Sequence, residues 1–599
     1  MSVTQDFDTD VLVVGLGPMG ATTTLALATY GIGVHAISRQ NWLADTPRAH
    51  ITNLRAAEVL RSLGIEEEIK QQATPWEWMG DTLFTTSLTG PELVRMRTWG
   101  TGDDRSGDYL RASPCSMVDI PQTLVEPILV NAAARRGAVI SFNTEYRSSE
   151  QDADGVTVTL ANRLTGEVFT QRVRYLVGAD GAKSRVMQDA GLAVEGELGR
   201  AGTVYAQFKG ELGQYVAHRP SILNWIVNTD AAVGEIGLGL LRAVSPWNEW
   251  IAGWGFDINA GAPDLSHETA IARIRSYVGD PDFQPEIVSV GPWYVNEAYA
   301  PVYSAGRIFC GGDATHRHPP SSGLGSNTCI QDAFNLAWKL AYVVDGVAGP
   351  SLLDSYTEER APVGRQIVER ANQSRRDYAP IRQAMEADEP GGPTGIDKLR
   401  AATPAGARAR KELEAAIELK HYEFNAQGTE MNQRYESTAV LPDEDAVDEV
   451  WRRDPGLYVQ PTTRPGAKIP HAWLVGADGR RRSTLDIVGD GSMTLITGLT
   501  GADWRTAAEE LGHSRLRVVV VGDPGVEDLY FEWQRAREVE EAGAVLVRPD
   551  GVVAWRSMSG PRDVHEARTT LEDVLAGVLG NRVLATSNDA SARGQWRSS

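Results

Sequence analysis

The sequence has few cysteines and a shortage of basic residues. Its three cysteines, Cys115, Cys310 and Cys329, are too few and too scattered for a disulfide framework. Lysine and arginine total 58 against 79 aspartates and glutamates, which gives a formal net charge of -21. This charge repels nucleic-acid phosphates and anionic lipid, and no basic block reverses it locally. We therefore expect no nucleic-acid partner.

Long apolar runs are missing as well. No stretch of the sequence approaches the roughly 18 residues that span a bilayer, and the N-terminus lacks the basic-then-apolar segment of a secreted protein. We expect a cytoplasmic protein with no membrane partner. The hydrophobic content of 42% is sufficient for ordinary cores. A length of 599 residues corresponds to about four domain-sized units.

A βαβ unit stands near the N-terminus. The pattern predicts a strand at Val11–Val14, a helix that ends near Gly31 and a second strand at Val34–Ile37. The turn between the first strand and the helix fits G-x-G-x-x-G, with Pro18 inside it; its glycines are Gly15, Gly17 and Gly20. Such glycines permit a tight turn, close approach of a pyrophosphate and close helix packing, so the unit predicts dinucleotide binding.

The end of the second strand departs from this pattern. An acidic residue normally holds the ribose hydroxyls there, whereas this sequence has Ser38 followed by Arg39. A serine can still make one hydrogen bond, so ribose binding is weakened rather than excluded.

Two later strands also end in Asp-Gly or Gly-Asp. One runs into Asp180 and Gly181, and the other, far along the chain, runs into Gly312 and Asp313. If both ends converge on the ligand held by the first glycine turn, that ligand must be long. FAD is long enough, and there is no second G-x-G-x-x-G to house a nicotinamide cofactor separately. The sequence predicts an FAD protein.

The segment 311–327 raises the alternative of a metal site. It contains Asp313, His316 and His318, which are residue types that bind divalent metals. Alternate residues at a strand end point to opposite sides, and no further ligand cluster is evident. We therefore favour a cofactor loop over a metal site and expect no metal.

These segments resemble the single-component FAD-dependent aromatic hydroxylases, the class A flavoprotein monooxygenases. The residues 47–64 ("PRAHITNLRAAEVLRSLG") and 317–341 ("RHPPSSGLGSNTCIQDAFNLAWKLA") look specifically like the branch of phenol hydroxylase and 2,4-dichlorophenol 6-monooxygenase. The resemblance extends from about residue 8 to Arg556 and so covers nearly the whole chain.

The resemblance implies an α/β fold of three parts. A Rossmann-like FAD domain of the p-hydroxybenzoate hydroxylase type would occupy 1–190 and, with a helical connection, 296–450. An antiparallel-sheet substrate domain would occupy 191–295, with an insertion around 80–110. A thioredoxin-like domain would occupy 455–590, without a redox role of the usual kind because all three cysteines lie upstream. The tail after residue 586 is typical of disorder.

The resemblance also assigns cofactor contacts. Asp313 would bind the ribityl hydroxyls, Arg48 would lie near the pyrophosphate, and Gln122 would contact the ribityl or isoalloxazine region. The helix that begins near Gly323 would direct its positive N-terminus at the N1–C2=O edge of the flavin. Arg48 could instead be a surface residue, Gln122 a helix start and Asp180 a turn. The full cofactor set is Gly15, Gly17, Pro18, Gly20, Ser38, Arg39, Arg48, Gln122, Asp180, Gly181, Gly312, Asp313, Pro320, Gly323, Leu324, Gly325, Ser326 and Asn327.

The implied reaction is hydroxylation of a phenol or hydroxypyridine next to an oxygen substituent, by C4a-hydroperoxyflavin. NADPH or NADH would reduce the flavin. Arg39 and Arg48 could attract the phosphates of this nicotinamide cofactor. His50 stands where the family has an aspartate that removes the phenolic proton, and histidine titrates near neutral pH; a structural histidine is the alternative. The carbonyl of Pro319 or Pro320 would lie beside the ring.

Aromatic residues between Asp180 and Asp313 are candidates for the substrate pocket. We expect Trp225, Arg242 and Trp254 to bind substrate, with Trp250 as a further candidate, although aromatics at strand spacing are also typical of plain core. We expect the enzyme to form a homo-oligomer, most simply a dimer.

Three alternatives stay open. A flavin-dependent halogenase would share the FAD motifs, but Met79 and Gly80 leave the Trp-x-Trp-x-Ile-Pro motif begun by Trp76 and Trp78 incomplete. A non-catalytic flavin-binding redox sensor would show no substrate-gated oxidation of NADPH. Among hydroxylases, catabolism of chlorophenols and tailoring of a natural product, such as a piericidin-like ring, use the same chemistry.

Overall fold

A computed structural model describes residues 7–388, 394–443 and 447–581. The chain divides into two compact units. Unit 1 comprises Met1–Ala337, Arg360–Gln433 and Glu449–Pro461, and unit 2 comprises Trp338–Glu359, Arg434–Asp448 and Thr462–Ser599. The predicted disordered tail lies outside the described residues, and the finer four-segment division of the chain stays a prediction.

Unit 1 is a mixture of strands and helices. Its strands are β1 (Thr9–Val14), β2 (Val34–Ile37), β3 (Ile51–Thr52), β4 (Asp81–Thr85), β5 (Glu92–Arg97), β6 (Val118–Asp119), β7 (Val139–Ser141), β8 (Thr144–Gln151), β9 (Val156–Asn162), β10 (Val168–Gly178), β11 (Glu195–Lys209), β12 (Leu223–Ile226), β13 (Gly239–Ser245), β14 (Glu249–Phe256), β15 (Glu286–Tyr299), β16 (Ser304–Ala305), β17 (Ile308–Cys310) and β18 (His316–Arg317).

The helices of the chain up to residue 431 lie in unit 1, except that two long helices, α10 and α11, contribute residues to both units. They are α1 (Pro18–Thr29), α2 (Leu54–Ser62), α3 (Glu66–Gln72), α4 (Trp76–Met79), α5 (Ser106–Ala112), α6 (Gln122–Arg135), α7 (Arg185–Asp189), α8 (Gly213–Val216), α9 (His267–Val278), α10 (Leu324–Val344), α11 (Asp354–Arg376), α12 (Ala379–Met385), α13 (Gly395–Arg400), α14 (Pro404–Glu418), α15 (His421–Phe424) and α16 (Gln427–Met431).

The first sheet of unit 1 carries the glycine turn. Its strand order is β16-β17-β10-β1-β2-β7, and β8 and β9 extend it from β10. The pairs β1–β10, β1–β2, β10–β17 and β2–β7 are all parallel. The central strand is fully apolar from Val11 to Val14 and buried on both sides, as parallel strands usually are. The strands expected at Val11–Val14 and Val34–Ile37 are both present.

The second sheet of unit 1 is mostly antiparallel. Its order is β18-β15-β11-β14-β13-β12-β4-β5. The strands β4 and β5 come from the region around 80–110, and β4 pairs with β12 in parallel. A large apolar cluster packs on this sheet and includes Phe84, Trp225, Trp250, Trp254 and Tyr378.

Unit 2 is built on a smaller mixed sheet. Its strands are β19 (Trp473–Val475), β20 (Arg481–Ser483), β21 (Met493–Gly498), β22 (Leu516–Val521), β23 (Ala544–Val547) and β24 (Val553–Ser557), and its later helices are α17 (Ala502–Leu511), α18 (Glu532–Ala536) and α19 (Val564–Val578). Four strands form the order β22-β21-β23-β24, in which β21 and β22 are parallel and the other pairs antiparallel.

Candidate active site

The glycine turn after β1 contains two positions that packing restricts to glycine. Gly15 has φ +106°, and a Cβ there would lie 2.2 Å from the carbonyl oxygen of Ala179. A Cβ on Gly20 would lie 1.9 Å from the carbonyl oxygen of Gly15. Both side chains would collide with backbone, so these two glycines allow the helix to pack closely on the strand.

Gly17 is different because the space beside it is open. A Cβ on Gly17 would meet only Oε1 of Glu126, at the ordinary distance of 3.8 Å. Gly17 is also the N-cap of α1, makes no side-chain cap and is followed by Pro18 at the first helical position. The N–H groups of the first turn therefore face an approachable surface, which is the arrangement that binds a pyrophosphate.

Three strands end side by side at this turn. Val14 pairs with Gly178, and Gly178 pairs with Cys310, so β1, β10 and β17 end at the same level. The N–H of Ala179 donates to the carbonyl of Val14 at 2.8 Å. The residues that follow the three strands therefore lie at one edge of the sheet, where α/β proteins bind ligands.

The two aspartates at this edge differ in what they contact. Asp180 accepts hydrogen bonds from the Ser184 hydroxyl and from the N–H of Arg185 at 2.7 Å, so its carboxylate caps the start of α7. The side chain of Asp313 is exposed. The positive charges of Arg48 and Arg317 lie close enough to favour its charged form. Asp313 thus offers a carboxylate to a ligand, whereas Asp180 contributes mainly local structure.

A buried glutamate organises the floor beneath Gly17. Glu126 accepts a hydrogen bond from the Gln122 amide at 2.6 Å and another from the N–H of Ala44 at 2.7 Å. Burial raises the pKa of Glu126, and Arg48 is among the groups that oppose this shift. The Gln122 side chain is thus held by Glu126. The Arg48 side chain is exposed and lies near Asp313 and Glu126. Their contacts with a cofactor stay predictions.

The residues after β2 form a surface turn. The Ser38 hydroxyl accepts from the N–H of Gln40 at 3.2 Å, and the carbonyl of Arg39 accepts from Arg163 at 2.7 Å. Roles for Ser38 and Arg39 in binding ribose or a nicotinamide cofactor stay predictions.

Both histidines of the 311–327 loop are used within the protein. His316 is buried and its Nε2 lies 2.9 Å from Asp332, which also accepts from Arg360 at 2.7 Å. His318 donates through Nδ1 to the Pro319 carbonyl at 2.8 Å, and burial lowers the pKa of His318 to about 4. Over residues 7–388, 394–443 and 447–581, no group of three or more metal-binding side chains has the geometry of a metal site.

The N-terminus of α10 is fixed to strand β3. Asn327 donates to the carbonyl of Ile51 at 2.8 Å and accepts from the N–H of Asn53 at 2.9 Å. Ser322 and Gly323 adopt positive φ just before the helix, which starts at Leu324 as expected. Asn327 therefore acts as a positioning residue in this structure. A Cβ on Gly325 would lie 3.5 Å from the His318 ring, an ordinary contact distance, and contacts of Gly325 with a cofactor stay a prediction.

A second group of polar side chains lies beside β3. His50 is buried and its Nε2 lies 3.0 Å from the carbonyl of Pro47. Because a carbonyl can only accept, Nε2 carries the hydrogen, and Nδ1 of the neutral ring is an acceptor. None of the described residues makes a hydrogen bond with that Nδ1. Burial, and then the charge of Arg242, hold the pKa of His50 well below its ordinary value.

Arg242 lies on β13 of the second, mostly antiparallel sheet and extends towards His50. Its guanidinium forms an ion pair with Oδ1 of Asp119, and the Asp119 side chain is 1% exposed. The register of β3 and β6 pairs Asp119 with Ile51, the neighbour of His50. Burial raises the pKa of Asp119, while Arg242 and Thr74 oppose the shift. The structure thus brings a neutral imidazole, a cation and a carboxylate together beside the start of α10.

The strand register decides which aromatic side chains share a face with Arg242. Trp225 pairs with Leu240, which lies two residues from Arg242 on the same strand, so Trp225 and Arg242 share a face. Arg242 pairs with Ile251, and Trp254 is an odd number of residues from Ile251 along β14. Trp254 therefore lies on the opposite face. Trp250 lies on that face as well, and the roles of Trp225, Arg242 and Trp254 in binding substrate stay predictions.

Comparisons with known proteins agree with this geometry. A family model described as an FAD binding domain matches residues 8–371, and one described as aromatic-ring hydroxylase, C-terminal, matches residues 462–581. The chain belongs to the FAD-dependent aromatic-ring hydroxylases. The predicted fold class and family are confirmed, and the enzyme is an aromatic monooxygenase that uses FAD.

Individual relatives of this hydroxylase match over nearly the full length. A 2,4-dichlorophenol 6-monooxygenase of Delftia acidovorans is 47% identical over 95% of the chain and 98% of the relative. A phenol 2-monooxygenase of Pseudomonas sp. (strain EST1001) is 45% identical over 96% and 93%. The crystal structure of the flavin-dependent monooxygenase PieE with FAD and substrate has a TM-score of 0.90 at 40% identity, over 96% of the chain and 99% of PieE.

Three residues near the candidate site of this hydroxylase have no clear signal in the sequence. Asp119 is the last residue of the short strand β6, and Glu126 lies within the first half of α6. A carboxylate has no distinctive sequence pattern at either position, although the four-residue spacing of Gln122 and Glu126 is a weak signal. Tyr205 is the third: it pairs with Gly253 on the face of Arg242, and a Cβ on Gly253 would lie 2.9 Å from its ring. Gly253 therefore makes room for the Tyr205 ring.

The described residues of the hydroxylase include no helix that combines the length and apolar character needed to cross a membrane.

Proposed function

We propose that the enzyme hydroxylates a phenolic or hydroxypyridine ring at a carbon next to an oxygen substituent, with NADPH or NADH and O₂ as cosubstrates. The observation that carries this proposal is the buried group of His50, Arg242 and Asp119 beside the start of α10. An arginine and a neutral imidazole suit a hydroxyl that can ionise. The relatives named for phenol and 2,4-dichlorophenol support the same substrate class.

The residues at the sheet edge fit FAD. Gly17 leaves its backbone approachable at the start of α1, and Asp313 offers an exposed carboxylate at the end of β17. The first turn of α10 would lie along the flavin ring, where its positive end favours negative charge. FAD, when bound, supplies electron transfer from the nicotinamide and activation of O₂.

The protein side chains prepare the ring for attack. Arg242 would stabilise negative charge on the substrate oxygen as the hydroxyl ionises, because a buried charge pair acts strongly at low dielectric. His50 would accept the hydrogen bond of that hydroxyl at Nδ1. Since its pKa lies well below the ordinary value, His50 is neutral at physiological pH and so is an acceptor when the substrate arrives.

The remaining surroundings orient the ring and exclude water. Trp225 packs against Tyr378 with the rings tilted by 49° and their centroids 4.5 Å apart, on the face of the sheet that carries Arg242. Pro319 and Pro320 supply carbonyls near the start of α10. The Pro319 carbonyl already accepts from His318, and the Pro320 carbonyl accepts from the N–H of Gly323 at 3.1 Å. Each carbonyl has a second lone pair for a substrate or flavin group.

Kinetics of flavin reduction test the proposal. Enzyme loaded with FAD is mixed without oxygen with NADPH or NADH, in the presence and absence of a panel of phenols and hydroxypyridines. We expect at least one of these compounds to accelerate flavin bleaching strongly, and the aerobic reaction with ¹⁸O₂ to give a labelled hydroxylated product. Equal reduction rates with and without every compound, and no labelled product, would refute the proposed substrate class.

A second candidate is tailoring of a larger natural product. The observation that favours it is the similarity to PieE in complex with FAD and substrate, at a TM-score of 0.90. Simple chlorophenols and bulky hydroxypyridines are compared by kcat/KM and by product formed per NADPH consumed. A preference for bulky rings would favour this candidate, and a preference for small phenols would favour catabolism.

A cytoplasmic location and a homodimer belong to the same proposal and rest on the sequence and the family. The monooxygenase relatives give the halogenase and the redox sensor no support. Trp76 and Trp78 stand on the short helix α4, where the Trp78 ring stacks on Trp247 at 6.2 Å.

A further inference from the structure

We propose that Asp119 is a positioning residue that compensates the charge of Arg242, so that the substrate enters as the neutral phenol. The inference rests on the proposed phenolic substrate. We call the group of His50, Asp119 and Arg242 the substrate corner. In this proposal, Asp119 influences which phenols bind there.

The backbone fixes the position of Asp119 relative to His50. In the pairing of β3 with β6, Asp119 is opposite Ile51, and the N–H of Ile120 donates to the carbonyl of His50 at 2.8 Å. The N–H of Thr74 donates to the carbonyl of Asp119 at 2.8 Å. Two strands and a neighbouring segment thus fix the backbone of Asp119 next to that of His50, and the ion pair with Arg242 fixes its side chain.

The carboxylate of Asp119 has two neighbours that favour its charged form, Arg242 and the Thr74 side chain. Its Oδ1 pairs with Arg242. Within the part of the chain that the structure describes, Oδ2 accepts no hydrogen bond. Nδ1 of His50 likewise accepts no hydrogen bond from any described residue. Arg242 is paired with Asp119 and lies close enough to His50 to lower the pKa of its imidazole. A polar ligand that reaches Arg242 can therefore also meet one of these two acceptors.

A neutral phenol has the right donor for this corner. Its hydroxyl can donate to one of the two acceptors, while its oxygen accepts from Arg242. With Asp119 ionised, the arginine and the aspartate together carry no net charge, and the corner does not select the ionised form of the ligand. Without the negative charge of Asp119, the corner would be positive and would select phenolate.

The charge of a bound ligand can be measured directly with 4-nitrophenol, because its neutral and ionised forms absorb at different wavelengths. Its apparent pKa in the complex is obtained from difference spectra of the FAD-loaded enzyme across a pH series. The Asp119→Asn variant keeps an oxygen that can accept from Arg242 but removes the charge. We expect it to lower the pKa of the bound ligand by about one unit, a tenfold rise in the ratio of phenolate to phenol.

Two further variants define the direction of the effect. Arg242→Gln is expected to raise the pKa of the bound ligand, since it removes the cation. Glu58→Gln is the matched control: Glu58 is a buried carboxylate that pairs with Arg55 at 3.1 Å on α2, and its loss should leave the ligand pKa unchanged. Asp119→Ser serves as a second uncharged variant if Asp119→Asn does not fold, with the same expected direction.

The outcomes separate this inference from the function on which it rests. A downward shift in the uncharged Asp119 variants alone supports it. An unchanged or upward shift, with 4-nitrophenol still bound, overturns the role of Asp119 and leaves the proposed function intact. Failure of the wild-type enzyme to bind 4-nitrophenol or any other phenol overturns both.

Discussion

Two buried clusters of charged side chains, one in each unit, differ in how completely their atoms are paired. In unit 2, Glu359 accepts from Lys339 at 2.8 Å and from both terminal nitrogens of Arg548, and Arg548 also pairs with Asp550. The charged ends of Lys339, Glu359 and Arg548 are 0% exposed. In unit 1, the substrate corner contains one ion pair and two acceptor atoms without a partner among the described residues.

The difference separates a structural cluster from a binding one. A buried ion pair is tolerated when neighbouring groups satisfy its remaining hydrogen-bonding capacity, as in unit 2. The substrate corner leaves capacity unused on a histidine and a carboxylate, and such buried groups are costly unless a ligand or solvent satisfies them. Similar burial therefore has different consequences: the paired cluster in unit 2 is part of the fold, and we propose that the cluster in unit 1 binds the substrate.

The largest expected effect comes from breaking the paired cluster. Glu359→Gln leaves Lys339 and Arg548 buried without their shared carboxylate, and we expect a loss of about 3–5 kcal/mol in the free energy of unfolding. Chemical denaturation measures it. Glu572→Gln is the control, because its partner Arg568 lies on the surface of α19 at 3.0 Å and such pairs contribute about 0–1 kcal/mol. Equal losses in the two variants would contradict the contrast.

In the substrate corner, the expected loss is one of activity rather than stability. His50→Ala removes the acceptor for the substrate hydroxyl, and we expect product formation to fall about 10²-fold. Reduction of the flavin in the absence of substrate should change little. Rapid-quench measurement of the hydroxylated product gives the first quantity and stopped-flow absorbance the second. A variant that hydroxylates at the wild-type rate would show that His50 is structural.

The glycine turn also contains two positions that differ in their surroundings: the space beside Gly17 is open, and the space beside Gly20 is filled by backbone. Gly17→Ala adds a methyl group where the protein leaves space, so the fold should be retained while FAD affinity falls about tenfold or more through obstruction of the pyrophosphate. Gly20→Ala places the methyl group 1.9 Å from a backbone oxygen and should destabilise the apoprotein. Flavin fluorescence titration and thermal unfolding measure the two effects. Loss of stability in Gly17→Ala as well would remove the distinction.

The smallest expected effect is an absence of pH dependence near neutrality. Because the folded-state pKa of His50 lies well below the ordinary 6.5, His50 stays neutral as pH falls through 6.5. The unfolded chain takes up that proton first, so His50 lowers stability as pH decreases below 6.5, whereas kcat/KM should show no histidine-type decline there. A pH profile of kcat/KM that falls with an apparent pKa near 6.5, and loses this limb in His50→Gln, would contradict the neutral state.

The edge of the first sheet where β1, β10 and β17 end, which we call the FAD edge, could be predicted from the sequence because each segment that forms it has a local signal. Gly15, Gly17 and Gly20 follow an apolar strand, and Asp313 follows another, so parallel pairing alone brings them together. The role of Asp180 in capping α7 was harder to predict, since the same Asp-Gly pattern fits a turn, a cap or a ligand contact. The glutamate beneath Gly17 is visible only as a four-residue spacing on α6.

The substrate corner depends on pairings that the sequence does not specify. Asp119 and Arg242 are 123 residues apart and lie on different sheets. Alternation along β14 placed Trp250 and Trp254 on one face, but only the register with β13 shows that Arg242 lies on the other. The chemistry of this corner therefore arises from tertiary structure, whereas that of the FAD edge arises from local motifs.

A crystal structure of the enzyme with FAD and a phenol that it turns over tests the account most directly. We predict that the phenol oxygen lies within hydrogen-bonding distance of Arg242 and of Nδ1 of His50, on the face of the sheet that carries Trp225. A phenol bound on the face of Trp250 and Trp254, with His50 and Arg242 out of its reach, would contradict the assignment of this cluster as the catalytic site.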